Sequence, residues 1–342
     1  MCISRISVEK ITDFDKIDIS LSKGINVFIG ENGSGKTHLM KLLYASMKYA
    51  DATANITMDQ LLQSLFLPDS LGRIVRRSQG RSKGQFSVYR QDEVGQSDVS
   101  FRYELNSLGR SQTVNVAKWR KDKRFPVVFI PVKDMLANSA GFKSLYDNRE
   151  ISFESIYADI VSLALLPPTK GHPSGAKSKL LELIQSIISG KVEKKEEKFY
   201  LKNEQGSLEF TLLAEGFRKL GLLYTLIQNE SLSTGSILFW DEPEANLNPR
   251  LTKQVVQIII ELQRMGTQVF IATHDYMFLK EMELATEESK DAVSYHSLYK
   301  EEGNVKCMTV ERLADLEHNV INDAFDSLLV RSINKGFEQV ER

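Results

Sequence analysis

The chain has 342 residues, 42% hydrophobic and 26% charged, with a formal net charge of −1. That is ordinary for a soluble globular protein, allows one large domain with an insertion, and excludes a generic polyanion binder or a chain needing staples. No apolar run approaches a bilayer span and the start MCISRISVEK has no signal core, so the sequence predicts a cytoplasmic protein with no membrane partner.

In chain order, Ile3 to Val8 and the segment ITDFDKIDISL alternate in polarity and predict strands of a small antiparallel unit. After Gly24, the continuous apolar run INVFI suits a strand buried on both faces. Gly30-Glu31-Asn32-Gly33-Ser34-Gly35-Lys36-Thr37 follows and fits G-x-x-x-x-G-K-[ST]. Its glycines let successive N–H groups curl around a phosphate. The helix predicted for THLMKLLYASMKYA adds the positive end of its dipole at Thr37 and His38. Such a loop binds ATP, with Lys36 on the β- and γ-phosphates and the Thr37 hydroxyl on Mg²⁺.

The middle of the chain is less regular. LLQSLFL predicts a helix, and FSVYRQ, VSFRYEL and TVNVAKW predict strands. FPVVFIP predicts a buried strand, Ser152 to Leu165 a helix, PPTKGHPSG a loop, and KLLELIQSIISG a helix ending at glycine. KVEKKEEKFYLKNEQGSLEFTLL reads as a hairpin around Gln205-Gly206. Residues 69–124 hold 13 Lys/Arg against 6 Asp/Glu, a net of +7, whereas residues 281–342 hold 7 against 14, a net of −7. Such asymmetry marks either a nucleic-acid or partner face, or two solvated surfaces. Cys2 and Cys307 form no metal or redox spacing and predict reduced thiols.

The last third returns to α/β periodicity. EGFRKLGLLYTLIQ predicts a helix and SILFW a buried strand that delivers Asp241-Glu242 at its carboxyl end, where open α/β sheets bind ligands. Asp241 is the expected Mg²⁺ carboxylate and Glu242 the expected general base for water. LTKQVVQIIIELQRM predicts a helix and QVFIATH a strand whose tip places His274 to contact the γ-phosphate or polarise the water. DAVSYHSLYKEEGNVKCMTVERL predicts a hairpin, and HNVINDAFDSLLVRSINKG a terminal helix.

Together these motifs resemble the ABC-type ATPase superfamily, which includes ABC transporters, SMC and RecF-type proteins and the OLD (overcoming-lysogenisation-defect) ATPases. GENGSGKT resembles Walker A, ILFWDEPEANLNP resembles Walker B with catalytic glutamate and D-loop, and THD resembles the switch histidine. LLAEGFRKLG resembles the degenerate signature of the OLD-like and RecF-like (AAA_15/AAA_21) group. The resemblance implies an α/β fold: an ABC-type P-loop NTPase with a mixed central sheet, N-terminal antiparallel strands and an inserted α/β lobe between Walker A and the signature. The expected core is 1–50 and 207–342, and the expected lobe 51–206.

The resemblance also implies a homodimer or higher homo-oligomer in which ATP is sandwiched. Ala214, Glu215 and Gly216 of the signature, with Asn246 and Asn248 of the D-loop, would act in trans. Alanine stands where the signature usually has serine, which removes a hydroxyl contact and favours slow turnover. Gln79 and Gln91 are both candidates for the Q-loop glutamine. A transporter would carry a signature close to LSGGQ, and an SMC protein long heptad arms; neither is present. Only 68 residues follow His274, too few for a Toprim nuclease, so the resemblance implies a stand-alone ATPase with a separately encoded effector in anti-phage defence. The alternatives are a RecF-like DNA-binding ATPase using segment 69–124, and a nucleotide-binding scaffold with negligible hydrolysis.

Overall fold

The computed structural model of this chain describes residues 2–91, 98–120, 126–171 and 175–340, with backbone only over 336–340. Residues 92–97 and 121–124 of the basic segment, and 172–174 of the loop PPTKGHPSG, lie outside the described residues.

Alternation makes the first sheet. β1 (Cys2–Ile11) and β2 (Phe14–Ser20) pair antiparallel, with Ile6 opposite Ile19 and Val8 opposite Ile17 on the buried face. Continuous apolarity makes the second: β3 (Ile25–Gly30) is buried at every position. α1 (Lys36–Ala50) follows the phosphate loop, and α2 (Met58–Phe66) starts at a capping box between Thr57 and Gln60. β4 (Lys83–Gln91), β5 (Val99–Asn106) and β6 (Ser111–Val114) then add to β1, giving the order β2-β1-β4-β5-β6. TVNVAKW is strand only at its start. Asn115 takes a left-handed φ of 64° and turns Val116–Trp119 into one helical turn, α3.

β7 (Val127–Ile130) leads to α4 (Phe142–Asp147), α5 (Ser155–Ala164) and α6 (Gly175–Ile188). β8 (Lys191–Lys195), β9 (Lys198–Asn203) and β10 (Gly206–Glu209) form a three-stranded meander where a single hairpin was expected. The extra turn is at Glu196, with φ 55°, in a stretch of charged residues with no glycine to signal it. α7 (Glu215–Gln228), β11 (Ile237–Asp241), α8 (Thr252–Arg264), β12 (Gln268–Thr273), α9 (Tyr276–Ala285), β13 (Val293–Glu301), β14 (Asn304–Val310) and α10 (Val320–Val340) complete the chain. α9 was not expected from the sequence.

The central sheet runs β14-β13-β3-β12-β11-β7, parallel except for β14. It is mixed, as the family resemblance implied. Strands from residues 51–206 serve both main sheets: β4–β6 extend the N-terminal sheet and β7 is the edge of the central one, while β8–β10 pair among themselves. One face of the central sheet carries Val27, Ile130, Leu238, Trp240 and Ile271 and packs on α6, α7 and α8. The opposite face carries Phe28, Phe270, Phe239 and Phe129 in a stacked row, with neighbouring centroids 6.4, 4.8 and 6.0 Å apart. α1 packs on that row through Tyr44 and meets the N-terminal sheet on its other side. Trp119 plugs that junction: it is fully buried, lies under Arg90 at 4.4 Å, and its indole N–H donates to the Ser46 carbonyl of α1 at 3.0 Å. Among the described residues no helix is long and apolar enough to cross a membrane.

Candidate nucleotide site

Four segments meet at the carboxyl edge of the parallel strands: the loop after β3, the end of β11, the end of β12, and the β1–β2 turn. In the loop after β3, Gly30, Gly33 and Gly35 have φ of 150°, 75° and 90°. Only glycine adopts these cheaply. A Cβ on Gly30 would lie 2.2 Å from the Leu298 carbonyl oxygen, and one on Gly35 2.5 Å from the Phe14 ring. Gly35 also caps α1 without any side-chain bond, so the first amides of the helix remain directed into the loop. Glu31, Asn32 and Gly33 are exposed at the rim, Ser34 is buried beneath it, and Lys36 is buried at its centre.

The Lys36 ammonium donates to the Gly30 carbonyl at 2.7 Å and the Glu31 carbonyl at 3.0 Å. Burial lowers its pKa, and Asp241, Glu242, Glu244 and Glu31 oppose that. The Thr37 hydroxyl donates to Asp241 Oδ2 at 2.8 Å across 204 residues of sequence. Burial, with help from neighbouring Glu242, pushes the Asp241 carboxyl up to about 6. A half-buried hydroxyl and a buried carboxylate converging beside a phosphate loop are a hard oxygen set that fits Mg²⁺, which takes one or two protein oxygens and completes its shell with phosphate and water.

Glu242 follows in a left-handed conformation, φ 47°, with its N–H bonded to the Ala272 carbonyl at 2.9 Å. This turns its carboxylate to His274, whose Nδ1 is 3.2 Å from Oε1. Both side chains are part-exposed, as an attacking water requires. His38 departs from a simple phosphate contact: its Nδ1 pairs with Asp13 at 2.9 Å and its ring packs on Phe66 at 5.4 Å. That bond to His38 lowers the Asp13 pKa. His38, Asp13, Phe66, Arg73, Arg76 and Lys300 line a cleft of about 530 Å³ opening beside the loop.

The trans candidates behave differently. Ala214 is the N-cap of α7 and bonds nothing with its side chain. Gly216 packs on the D-loop of its own chain, where a Cβ would meet Leu247 Cδ1 at 3.0 Å and the Asn246 carbonyl at 3.6 Å. Asn246 is left-handed, φ 58°. Asn248 accepts from the Arg250 N–H at 3.0 Å, and so caps the turn before α8. Gln91 lies opposite Cys2, at the far end of β1 from the turn that touches the phosphate loop, about 30 Å away at strand rise. Gln79 sits in an exposed loop.

Two residues escaped the sequence reading. Glu244 is half-buried, accepts from the Thr273 hydroxyl at 2.6 Å and the His274 N–H at 3.3 Å, and desolvation raises its pKa. Lys219, on α7, is 3% exposed and its ammonium donates to the Ala245 carbonyl. The second acid of DEPE was a usable signal for Glu244. Nothing in the pattern of α7 distinguishes Lys219 from a solvated lysine.

A glycine-rich phosphate loop with Asp241, Glu242 and His274 gathered at the same sheet edge is the arrangement of an ABC-type P-loop ATPase. The chain belongs to the family described as "AAA domain, putative AbiEii toxin, Type IV TA system", whose model matches residues 25–280. It is similar to the DNA replication and repair protein RecF of Streptococcus suis strain 05ZYH33, 28% identical over 81 residues, which is 24% of this chain and 22% of that protein. RecF of Cytophaga hutchinsonii is 24% identical over 164 residues, 46% of this chain and 37% of the relative. The matched stretches thus span well under half of those proteins. Two solved structures share the fold. One is the SmcHead bound to the C-winged helix domain of ScpA (TM-score 0.60, 13% identity, 92% of this chain and 99% of that one). The other is the SMC head domain from Thermotoga maritima (TM-score 0.51, 14% identity, 91% and 100%).

Proposed function

We propose that the protein binds Mg-ATP at Gly30–His38 and hydrolyses it, with Glu242 as general base and His274 holding the water or γ-phosphate. The observation that carries this is the Thr37–Asp241 bond at 2.8 Å beside the Glu242–His274 pair at 3.2 Å. Magnesium, when bound, would neutralise charge developing on the phosphates. Lys36 would exchange carbonyl partners for phosphate oxygens, and the amides opening α1 would hold them in place. The cleft at His38 and Phe66 would take the base and ribose. Glu242 accepts the proton of the attacking water, and His274 fixes the carboxylate's direction. Lys36→Ala should abolish ATP-induced thermal stabilisation. Glu242→Gln should bind ATP yet lose turnover; unchanged phosphate release in that variant would sink the hydrolytic assignment.

We further propose a cytoplasmic ATP-sandwich dimer in which Ala214–Gly216 and Asn246 of one copy face the nucleotide of the other, and which regulates a separately encoded effector in anti-phage defence. The likeness of LLAEGFRKLG to the OLD-like signature and the match to a toxin–antitoxin family support it. Glu242→Gln should run as a dimer with ATP and as a monomer without it. Co-purification of the neighbouring gene product would support the effector role, and a protein that stays alone in cells and in vitro would end it.

The RecF-like alternative needs a basic surface. Within segment 69–124, Arg73 pairs with Asp69, Arg76 with Asp15, and Arg120 caps the carbonyls of Asp51 and Ala54. Arg90 is buried on Trp119. Arg77, Arg81, Lys83, Arg102, Arg110 and Lys118 remain exposed, as does the Arg73–Asp69 pair itself. Among the described residues the exposed basic side chains of this segment therefore outnumber those that serve the fold, so a DNA contact there stays the alternative to the effector role. DNA stimulation of hydrolysis that falls steeply with salt would decide for it, and no response to DNA at low salt would end it.

A further inference from the structure

α7 begins at the proposed signature, and one turn in, Lys219 points away from solvent, toward the turn that follows β11. Its ammonium donates to the Ala245 carbonyl at 2.5 Å and lies 3.5 Å from the Glu242 carbonyl. These two carbonyls belong to the first and last residues of a tight turn, which the Ala245 N–H closes by donating to the Glu242 carbonyl at 3.0 Å. Glu242 is left-handed there, a conformation that is strained for a non-glycine residue and persists only where its surroundings impose it. On the other side of the turn, Glu244 ties Thr273 and the His274 N–H to the same loop. Glu215 of α7 itself, Glu242 and Glu244 of the loop after β11, and Asp134 after β7 are the acids whose charge reaches Lys219.

We infer that Lys219 is a positioning residue for hydrolysis: it clamps the Glu242–Ala245 turn so that the Glu242 carboxylate stays directed at His274. The inference rests on the ATPase proposed above. A lysine with its ammonium committed to main-chain carbonyls is a poor device for stability, because an apolar chain of similar length avoids the burial of charge. It is a good device for holding two carbonyls a fixed distance from a helix. That helix is also the one whose first residues would meet the nucleotide of a second copy. Movement of α7 against a partner would therefore be transmitted to the backbone of the base.

The test is Lys219→Met, with Lys219→Gln beside it, on the full chain. For Lys219→Met, kcat should fall at least tenfold, KM for ATP should stay within about threefold, and the thermal midpoint should be equal or higher. Lys219→Gln keeps a donor and should recover part of kcat. An unchanged kcat in both variants would overturn the inference, and so would a fall in thermal midpoint and ATP affinity together, which marks a structural lysine. Should the methionine variant not fold, it counts as that structural result unless the glutamine variant folds with reduced kcat and wild-type KM. Glu242→Gln run in parallel separates the two levels. If it still hydrolyses ATP, the site assignment fails; if only the lysine variants are fully active, Lys219 alone is acquitted.

Discussion

Asp241 is held against its own chemistry, and replacing it by asparagine measures how strongly. Its carboxyl is displaced from 3.8 to about 6, first by burial and then by Glu242. For a carboxylate raised in the folded state, the sign is the reverse of the usual acid case. The folded chain binds the proton more tightly than the unfolded chain, so stability is undiminished below pH 3.8 and falls as pH rises to 6. Above pH 6 the whole penalty applies, about 3 kcal/mol for a displacement of that size. Asp241→Asn removes it and keeps an oxygen for the Thr37 hydroxyl. Without divalent metal, the variant should be more stable than wild type by about 3 kcal/mol at pH 8 and about half that at pH 5. In a chain of 342 residues the first figure is a rise in Tm of about 4 °C. Differential scanning fluorimetry in a chelator at both pH values reads this directly. Magnesium with ATP should then stabilise wild type and leave the variant behind, reversing the order. A variant less stable than wild type at pH 8 in chelator would refute the reasoning, since the carboxylate would then be favourably placed without a metal.

Gly35→Ala places a methyl against the Phe14 ring at φ 90° and should cost about 3 kcal/mol by urea unfolding, with ATP-dependent stabilisation lost. His296 is buried between Asn26 and Thr309, and burial depresses its pKa to about 3. The unfolded chain takes the proton first, so stability should fall by about 2 kcal/mol between pH 7 and pH 5, and His296→Gln should flatten that slope whatever its starting stability. His274→Ala should lower kcat by about 10²-fold with ATP binding retained, read by phosphate release and fluorimetry together.

Contiguous patterns were legible in the sequence, and pairings were not. INVFI, SILFW and QVFIAT are strands because unbroken apolar runs suit only a twice-covered sheet, and the loop Gly30–Thr37 sits where its spacing required. Asp241 was legible because a strand end fixes where its next side chain goes. The partners of β4 and β7 were not: β1 meets β4 and β11 meets β7 across long intervals, and alternation says that a strand has a wet face without saying which strand lies beside it. Asn115 and Glu196 broke expected elements by adopting left-handed backbone without glycine. What Glu244 does, though the second acid of DEPE marks it, and the whole of Lys219 were hidden for a further reason. Their roles depend on burial and on carbonyls contributed by other segments, and residue type alone does not record either.

The two tryptophans of the chain, Trp119 and Trp240, are both fully buried, and they stand at different seams. Trp240 precedes Asp241 on β11, and its indole nitrogen finds no hydrogen-bond partner among the described residues. Trp119 is bonded to α1 and covered by Arg90. The molecule thus carries two intrinsic optical reporters. With Trp119→Phe, the remaining tryptophan emission reports the strand that bears Asp241; with Trp240→Phe, it reports the junction of α1 with the N-terminal sheet. Events at the base and events along the helix behind the phosphate loop become separable in time by stopped-flow fluorescence, with no label added.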